Sequence, residues 1–254
     1  TFTIDDLAGV NTYEWNFGNG EPPVTGTIGG GDNGTSSTTY TMAGEFSPQL
    51  TVNGTLSTVQ AINIHAIPTP SFAVQDYNNC TQASTNVQFD YIDSIPEYGK
   101  PITEWKWNFG DGTPDEITYV GGDISHTYNL TGNFTVLLTT TDENNCSNAY
   151  FESNAVVLNS TPLADFSYSY DEGCDFPLDI DFLNESTDTD GSITAYEWEI
   201  TLQGTGTAVD NSNEENPTLS VPSGGTYDIS LKISTSAGCT DQIVKTIILV
   251  LLLI

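Results

Sequence analysis

The residues able to do chemistry in this chain are few and recur at intervals. Four cysteines stand at Cys80, Cys146, Cys174 and Cys239, two histidines at His65 and His126, and 34 acidic residues face four lysines and no arginine, for a formal charge of -30. Converging carboxylates could hold a divalent cation. Glu185, Asp188 and Asp190 make a short oxygen-rich turn, and Asp111, Asp115, Glu116 and Asp123 cluster more loosely. A hard cation wants about six to eight oxygens, and neither group has the ligand order of an EF-hand, so Glu185, Asp188 and Asp190 stand only as a candidate calcium site, with no other cofactor expected. Asn-x-Ser/Thr sequons begin at Asn33, Asn53, Asn79, Asn129, Asn145, Asn159 and Asn184 and mark candidate glycan acceptors; an eighth, at Asn133, opens a predicted strand and is the poorest of them. Gly-x-Ser-x-Gly elbows, His-Glu-x-x-His helices and phosphate-cradling glycine loops do not occur, so the chain is not expected to be an enzyme. Nucleic acid is excluded as a partner, because binding it requires cationic side chains that displace phosphate counterions.

The elements that carry these residues repeat. Trp107-Asn108-Phe109-Gly110-Asp111-Gly112 has a close copy at Trp15-Asn16-Phe17-Gly18-Asn19-Gly20 and a degenerate one from Trp198, with roughly ninety residues between copies, the span of one small β-sandwich. Downstream, Tyr40 to Phe46 answers Tyr128 to Phe134, and Val221 to Tyr227 answers both. Short runs such as Leu178-Asp179-Ile180-Asp181-Phe182 and Phe134-Thr135-Val136-Leu137-Leu138 alternate apolar and polar residues, as half-buried strands do. The expected fold is all-β: three tandem sandwich domains at residues 1–66, 67–160 and 161–254.

Cys80 and Cys174 fall early in units two and three, Cys146 and Cys239 late in them. Four cysteines allow three connectivities; repetition of the same pair in two units favours Cys80 with Cys146 and Cys174 with Cys239. Each such loop of about 65 residues would contribute about 4 kcal/mol in the chain-entropy model. An oxidising, extracellular or cell-surface location follows. Cys-x-x-Cys spacing is absent, so zinc is not supported.

The Tyr/Glu-x-Trp-x-Phe-Gly-Asp/Asn-Gly stretch, His126-Thr127-Tyr128 followed by Gly132, Phe134 and Val136, and the Pro162 to Phe166 opening together resemble the PKD (polycystic kidney disease) repeat. Asp188-Thr189-Asp190-Gly191 before Trp198 also looks like that family's turn into the tryptophan strand, while unit three departs from it with Ile200-Thr201-Leu202-Gln203. The resemblance implies an immunoglobulin-like sandwich of about seven strands that acts as spacer or binding module without catalysis. In it the tryptophan fills the core, the glycines of Phe-Gly-Asp-Gly supply positive φ, and His126 is structural.

Thr1, Phe2 and Ile4 align with the second strand of the other units, so unit one reads as lacking a first strand. At the other end Ile247, Leu249, Leu251 and Leu253 alternate along an apolar strand too short to span a bilayer. Three readings follow: head-to-tail strand complementation between these two ends, a window onto a longer repeat protein, or the start of a membrane anchor. The expected function is an extracellular structural repeat, the subunit or shaft of a filament or adhesin that associates with itself or neighbouring repeats and carries surface glycans. The alternative is a carbohydrate- or protein-binding accessory module of a secreted enzyme, which predicts a clustered aromatic surface.

Overall fold

The computed structural model describes residues 1–250 apart from 6, 30–32, 58, 93–94, 172–175 and 190–192. Unit one contains β1 (Phe2–Thr3), β2 (Thr12–Asn16), β3 (Val24–Thr27), β4 (Thr35–Ser36), β5 (Gly44–Phe46), β6 (Gln49–Val52), β7 (Thr55–Ser57) and β8 (Ile62–Ile64). Unit two contains β9 (Ser71–Val74), β10 (Cys80–Thr81), β11 (Thr85–Ile92), β12 (Ile102–Asn108), β13 (Glu116–Thr118), β14 (Ile124–Tyr128), β15 (Gly132–Asp142) and β16 (Ser147–Ser160). Unit three contains β17 (Phe166–Ser169), β18 (Leu178–Asn184), β19 (Ile193–Leu202), β20 (Thr207–Ser212), β21 (Thr218–Val221), β22 (Gly225–Thr235) and β23 (Thr240–Leu249). The fold is all-β.

Unit two is two sheets face to face, ordered β10-β16-β15-β12-β13 and β14-β11-β9. Unit three repeats this with β20-β19-β22-β23 and β17-β18-β21. In unit one β3-β2-β6-β7 forms the larger sheet and β1 pairs only with β4, so nothing among the described residues occupies the place that β9 takes beside β11. Alternation in sequence becomes alternation in burial: Phe134, Val136 and Leu138 point inward from β15 while Thr135 and Leu137 point outward.

Buried apolar residues fall into three clusters, each drawn from one unit and each centred on its tryptophan. Phe72, from the first strand of unit two, and Phe89, from the second, lie 5.4 and 5.9 Å from the Trp107 ring. Phe166 and Phe182 do the same for Trp198 at 5.1 and 5.2 Å. Trp15 meets Phe2, in the second-strand position, at 5.2 Å and Phe17 at 6.0 Å, and among the described residues nothing stands in the place of Phe72 or Phe166. Burying such a ring contributes about 2 to 3 kcal/mol, which is why the tryptophan persists where the turn after it does not. Trp105 shares the inward face with Trp107, as period two requires, and closes the edge of the core against Tyr91 at 5.8 Å.

Candidate functional site

Asp111 and His126 form the most buried acid-base pair described, with His126 Nε2 2.8 Å from Asp111 Oδ2 and side-chain exposures of 13% and 5% for histidine and aspartate. The turn that presents Asp111 is built locally. Asn108 Oδ1 accepts the Gly110 amide at 3.0 Å, and Asp111 Oδ1 accepts both the amide and the hydroxyl of Thr113. Across the sandwich the His126 ring stacks on Phe109 at 4.0 Å, and the Tyr128 hydroxyl donates to the Phe109 carbonyl at 3.1 Å. Burial pushes the Tyr128 hydroxyl well above its ordinary value.

Geometry of this kind could serve general-base chemistry, but unit one shows what it is for. There Asn19 Nδ2 donates to Thr38 Oγ1 at 2.7 Å, and Tyr40 donates to the Phe17 carbonyl at 2.9 Å. An uncharged pair that cannot relay a proton thus makes the same bridge at the same place. The pair ties the turn after the tryptophan strand to the facing sheet.

It also titrates. Burial alone would raise the Asp111 carboxyl, but hydrogen bonds from Thr113 and His126 outweigh it and hold the group below its usual range. With the folded value below the unfolded one of about 3.9, the stabilisation is complete above about pH 4 and is lost as pH falls through the folded value. Asp111→Asn should flatten the acid limb of unit two's stability, read by hydrogen exchange in β12 and β15 against pH. An acid limb identical to the parent's would show that Asp111 contributes nothing there.

The second site is the joint between units. Cys80 is bonded to Cys239, with Cα atoms 5.6 Å apart, while Cys146 is free and Cys174 lies outside the described residues. The expected pairs Cys80 with Cys146 and Cys174 with Cys239 are therefore corrected. The reason is the direction of the last strand. β16 must end where unit three begins, so the hairpin that starts it, with Cys146, lies at the unit-one end. Cys80 pairs in register with Asn159, thirteen residues farther along, or roughly 40 Å of extended chain. The late cysteine of one unit thus meets the early cysteine of the unit before it. Hydrogen bonds reinforce the joint: Thr161 N donates to Thr81 O at 3.0 Å and the Ser160 hydroxyl to Asp188, while within unit three Ala164 N donates to Asp241 Oδ2 at 2.8 Å. At the joint of units one and two Ala66 N donates to Tyr98 O at 3.2 Å, and within unit two Asn148 Nδ2 donates to Pro68 O at 2.9 Å on the entering strand.

The remaining sequence candidates are dispersed. Asp188 serves the joint and Glu185 accepts from Ser167 at 2.8 Å, while Asp190 lies outside the described residues. Among the described residues no group of three acidic, histidine or cysteine side chains is placed to hold a metal. In the looser cluster, Asp115 pairs with Lys106 at 2.7 Å and Asp123 accepts the Tyr91 amide at 3.2 Å. Asn33, Asn79, Asn129, Asn133 and Asn145 are exposed. Asn53 is committed, since its Nδ2 donates to Gly9 O at 2.7 Å while its Oδ1 accepts two amides. Asn159 and Asn184 are half-buried. Phe2 and Ile4 belong to the unit-one core, with Thr1 exposed beside them. Ile247 and Leu249 are buried in unit three's own core, so donating that strand elsewhere would open the unit that holds it; Leu251 and Leu253 lie outside the described residues. Of clustered surface aromatics, Tyr168 and Tyr170 form a stacked, exposed pair at 6.4 Å.

Sandwiches of this topology, each pinned by a core tryptophan and, in units one and two, by a bridge from the following turn to the opposite side of the sandwich, define an immunoglobulin-like module. The sequence profile of the PKD domain matches residues 65–157. The chain belongs to the PKD domain family. It is similar to the PKD1 domain of the Vibrio cholerae metalloprotease PrtV, at 30% identity over 35% of this chain and 96% of that one with a TM-score of 0.29. It is also similar to the PKD1 domain of Vibrio anguillarum Epp, at 28% identity over 36% and 95% with a TM-score of 0.30. Three N-terminal domains of the bacteriophage RB49 outer capsid protein Hoc align over 93% of this chain and 86% of theirs, at 12% identity and a TM-score of 0.46. PKD domains are extracellular immunoglobulin-like modules, typically without catalysis of their own, and a disulfide suits that setting.

Proposed function

We propose that this chain is a section of the shaft of an extracellular filament or adhesin, in which successive units are fixed end to end. The observation that carries the reading is the Cys80–Cys239 bond between units two and three. A spacer whose only task is to separate two domains can swivel, whereas a shaft that transmits force or holds a tip away from a surface gains from joints that cannot. The hydrogen bonds that cross the joints, Ala66 to Tyr98, Thr161 to Thr81 and Ser160 to Asp188, support the same reading. A heterologous, head-to-tail contact need not close, so an array built in this way can propagate. The charge of -30 keeps such a rod soluble by self-repulsion.

Charge and staple make different predictions about salt. A chain extended only by repulsion contracts as ions screen it over about 10 Å at 0.1 M. Small-angle scattering of the oxidised chain should give the same elongated distance distribution at low and high salt. Contraction with salt, or a broad distribution in both, would remove the shaft reading.

A further inference from the structure

We infer that the Cys80–Cys239 bond carries tension past the cores of units two and three, so that a pull along the chain runs through one strand of each unit and leaves both sandwiches folded. This deepens the shaft reading, on which it rests for the source of the tension, by saying what the covalent joint does under load.

The first observation is connectivity. Without the bond, a pull that enters unit two at Ile67 has to leave it at Ser160, with every residue between them in the stretched chain. Cys80 and Cys239 are 159 residues apart in sequence, yet their Cα atoms are 5.6 Å apart. Tension that reaches Cys80 therefore crosses one S–S bond to Cys239 and leaves along the last strand of unit three. Residues 81–238 become a closed loop beside the path. Of the buried residues in the two core clusters, only Phe72, Ile247 and Leu249 lie on the path itself.

The second observation is direction. In unit two the path is β9 and the segment that follows it to Cys80, which lies beside Asn159 where the unit ends. In unit three it is β23, which leaves the turn of Cys239 and runs along β22 from Thr240↔Ser234 to Leu249↔Gly225. Both strands therefore run away from unit one, in the direction of the pull. Residues 67–80 number fourteen, as many as β16, which spans unit two from the hairpin of Cys146 to the joint. Extended chain rises about 3.3 Å per residue in either segment, so the path has little slack and tightens early.

The third observation is the pair that the bond protects. β10 and β16 are parallel, and Asn159 N donates to Asn79 O at 2.8 Å and Thr161 N to Thr81 O at 3.0 Å. A pull between Ile67 and Ser160 would slide one of these strands past the other and break those bonds. In the bridged chain both strands are anchored to unit three at the same end, β16 through the backbone at Thr161 and β10 through the disulfide. The sliding is stopped at its start. Units two and three thus keep their length while the bond holds, and cutting it adds 159 residue steps to the path, about 520 to 570 Å of extended chain. Bonds within each unit would act differently, leaving each unit free to open by a shortened step.

The test stretches the oxidised 254-residue chain between tags at its two ends in a force microscope, with Cys146→Ser and Cys174→Ser so that only Cys80 and Cys239 can pair. Fully stretched, it should be about 520 to 570 Å shorter than the same chain with Cys80→Ser added. The oxidised chain reduced with dithiothreitol should show the same gain, which keeps the comparison valid if the Cys80→Ser chain folds poorly. At constant load, dithiothreitol thiolate attacks one sulfur as the other leaves with the electron pair, and the missing length should appear only after that cleavage. Cleavage should quicken as the load is raised, because the bond lies on the path. Equal stretched lengths for oxidised and reduced chains would overturn the proposal, as would cleavage indifferent to load. So would lengthening before cleavage well beyond the roughly 220 to 240 Å that residues 1–66 can supply. None of these failures touches the salt-scattering result, which reads the joint without load.

Discussion

Gly110→Ala should destabilise unit two by about 3 kcal/mol or more, while Gly112→Ala two residues on should cost about 1 to 2 kcal/mol. Both glycines have positive φ, +77° and +86°, so both lose the conformational freedom that a Cβ removes. Only Gly110 is also pressed against a neighbouring strand. A Cβ there would stand 2.3 Å from the Thr135 carbonyl oxygen, a backbone atom of β15 that cannot turn aside, whereas a Cβ on Gly112 meets nothing within 4 Å. The gap between the variants therefore measures the steric contact free of turn strain. Hydrogen exchange across β12 and β15 as a function of urea reads it. Equal losses would mean that the sheet yields at Thr135. In unit one the counterpart, Gly18, has 3.3 Å to Ser47 O, so Gly18→Ala falls between the two.

Cys239→Ser should uncouple units two and three. The bond closes 159 residues of chain, which the chain-entropy model values at about 5 kcal/mol, more than either intra-unit loop would have given. Because its ends lie in different units, the loss should show as two separate transitions in place of one shared unfolding, with a broadened distance distribution in scattering. Peptide mapping of the oxidised parent should recover Cys80 linked to Cys239. A Cys80–Cys146 peptide, or a variant that unfolds and scatters like the parent, would refute the staple.

The strands were legible because alternation in sequence is alternation across a sheet: Leu178 to Phe182 and Phe134 to Leu138 read the same way in both. The family motif was legible because its residues are contiguous, and comparison of its copies already separated the core tryptophan from the variable acid. What could not be read off was the partner of that acid. Asp111 meets His126 and Asn19 meets Thr38 across the sandwich, and only the pair of substitutions taken together shows one bridge made in two chemistries.

The cysteines mark the boundary most sharply. Their recurrence in sequence determined that they belong to a periodic array, and composition determined the acidic surface. Recurrence cannot say whether an early cysteine bonds within its own unit or to the next, because both patterns have the same period. The tertiary structure decided it, since a sandwich places the start of its last strand at one end and the turn after its first strand at the other. That polarity sets Cys80 against Cys239, so that units two and three are joined covalently, and leaves Cys146 at the opposite end of unit two.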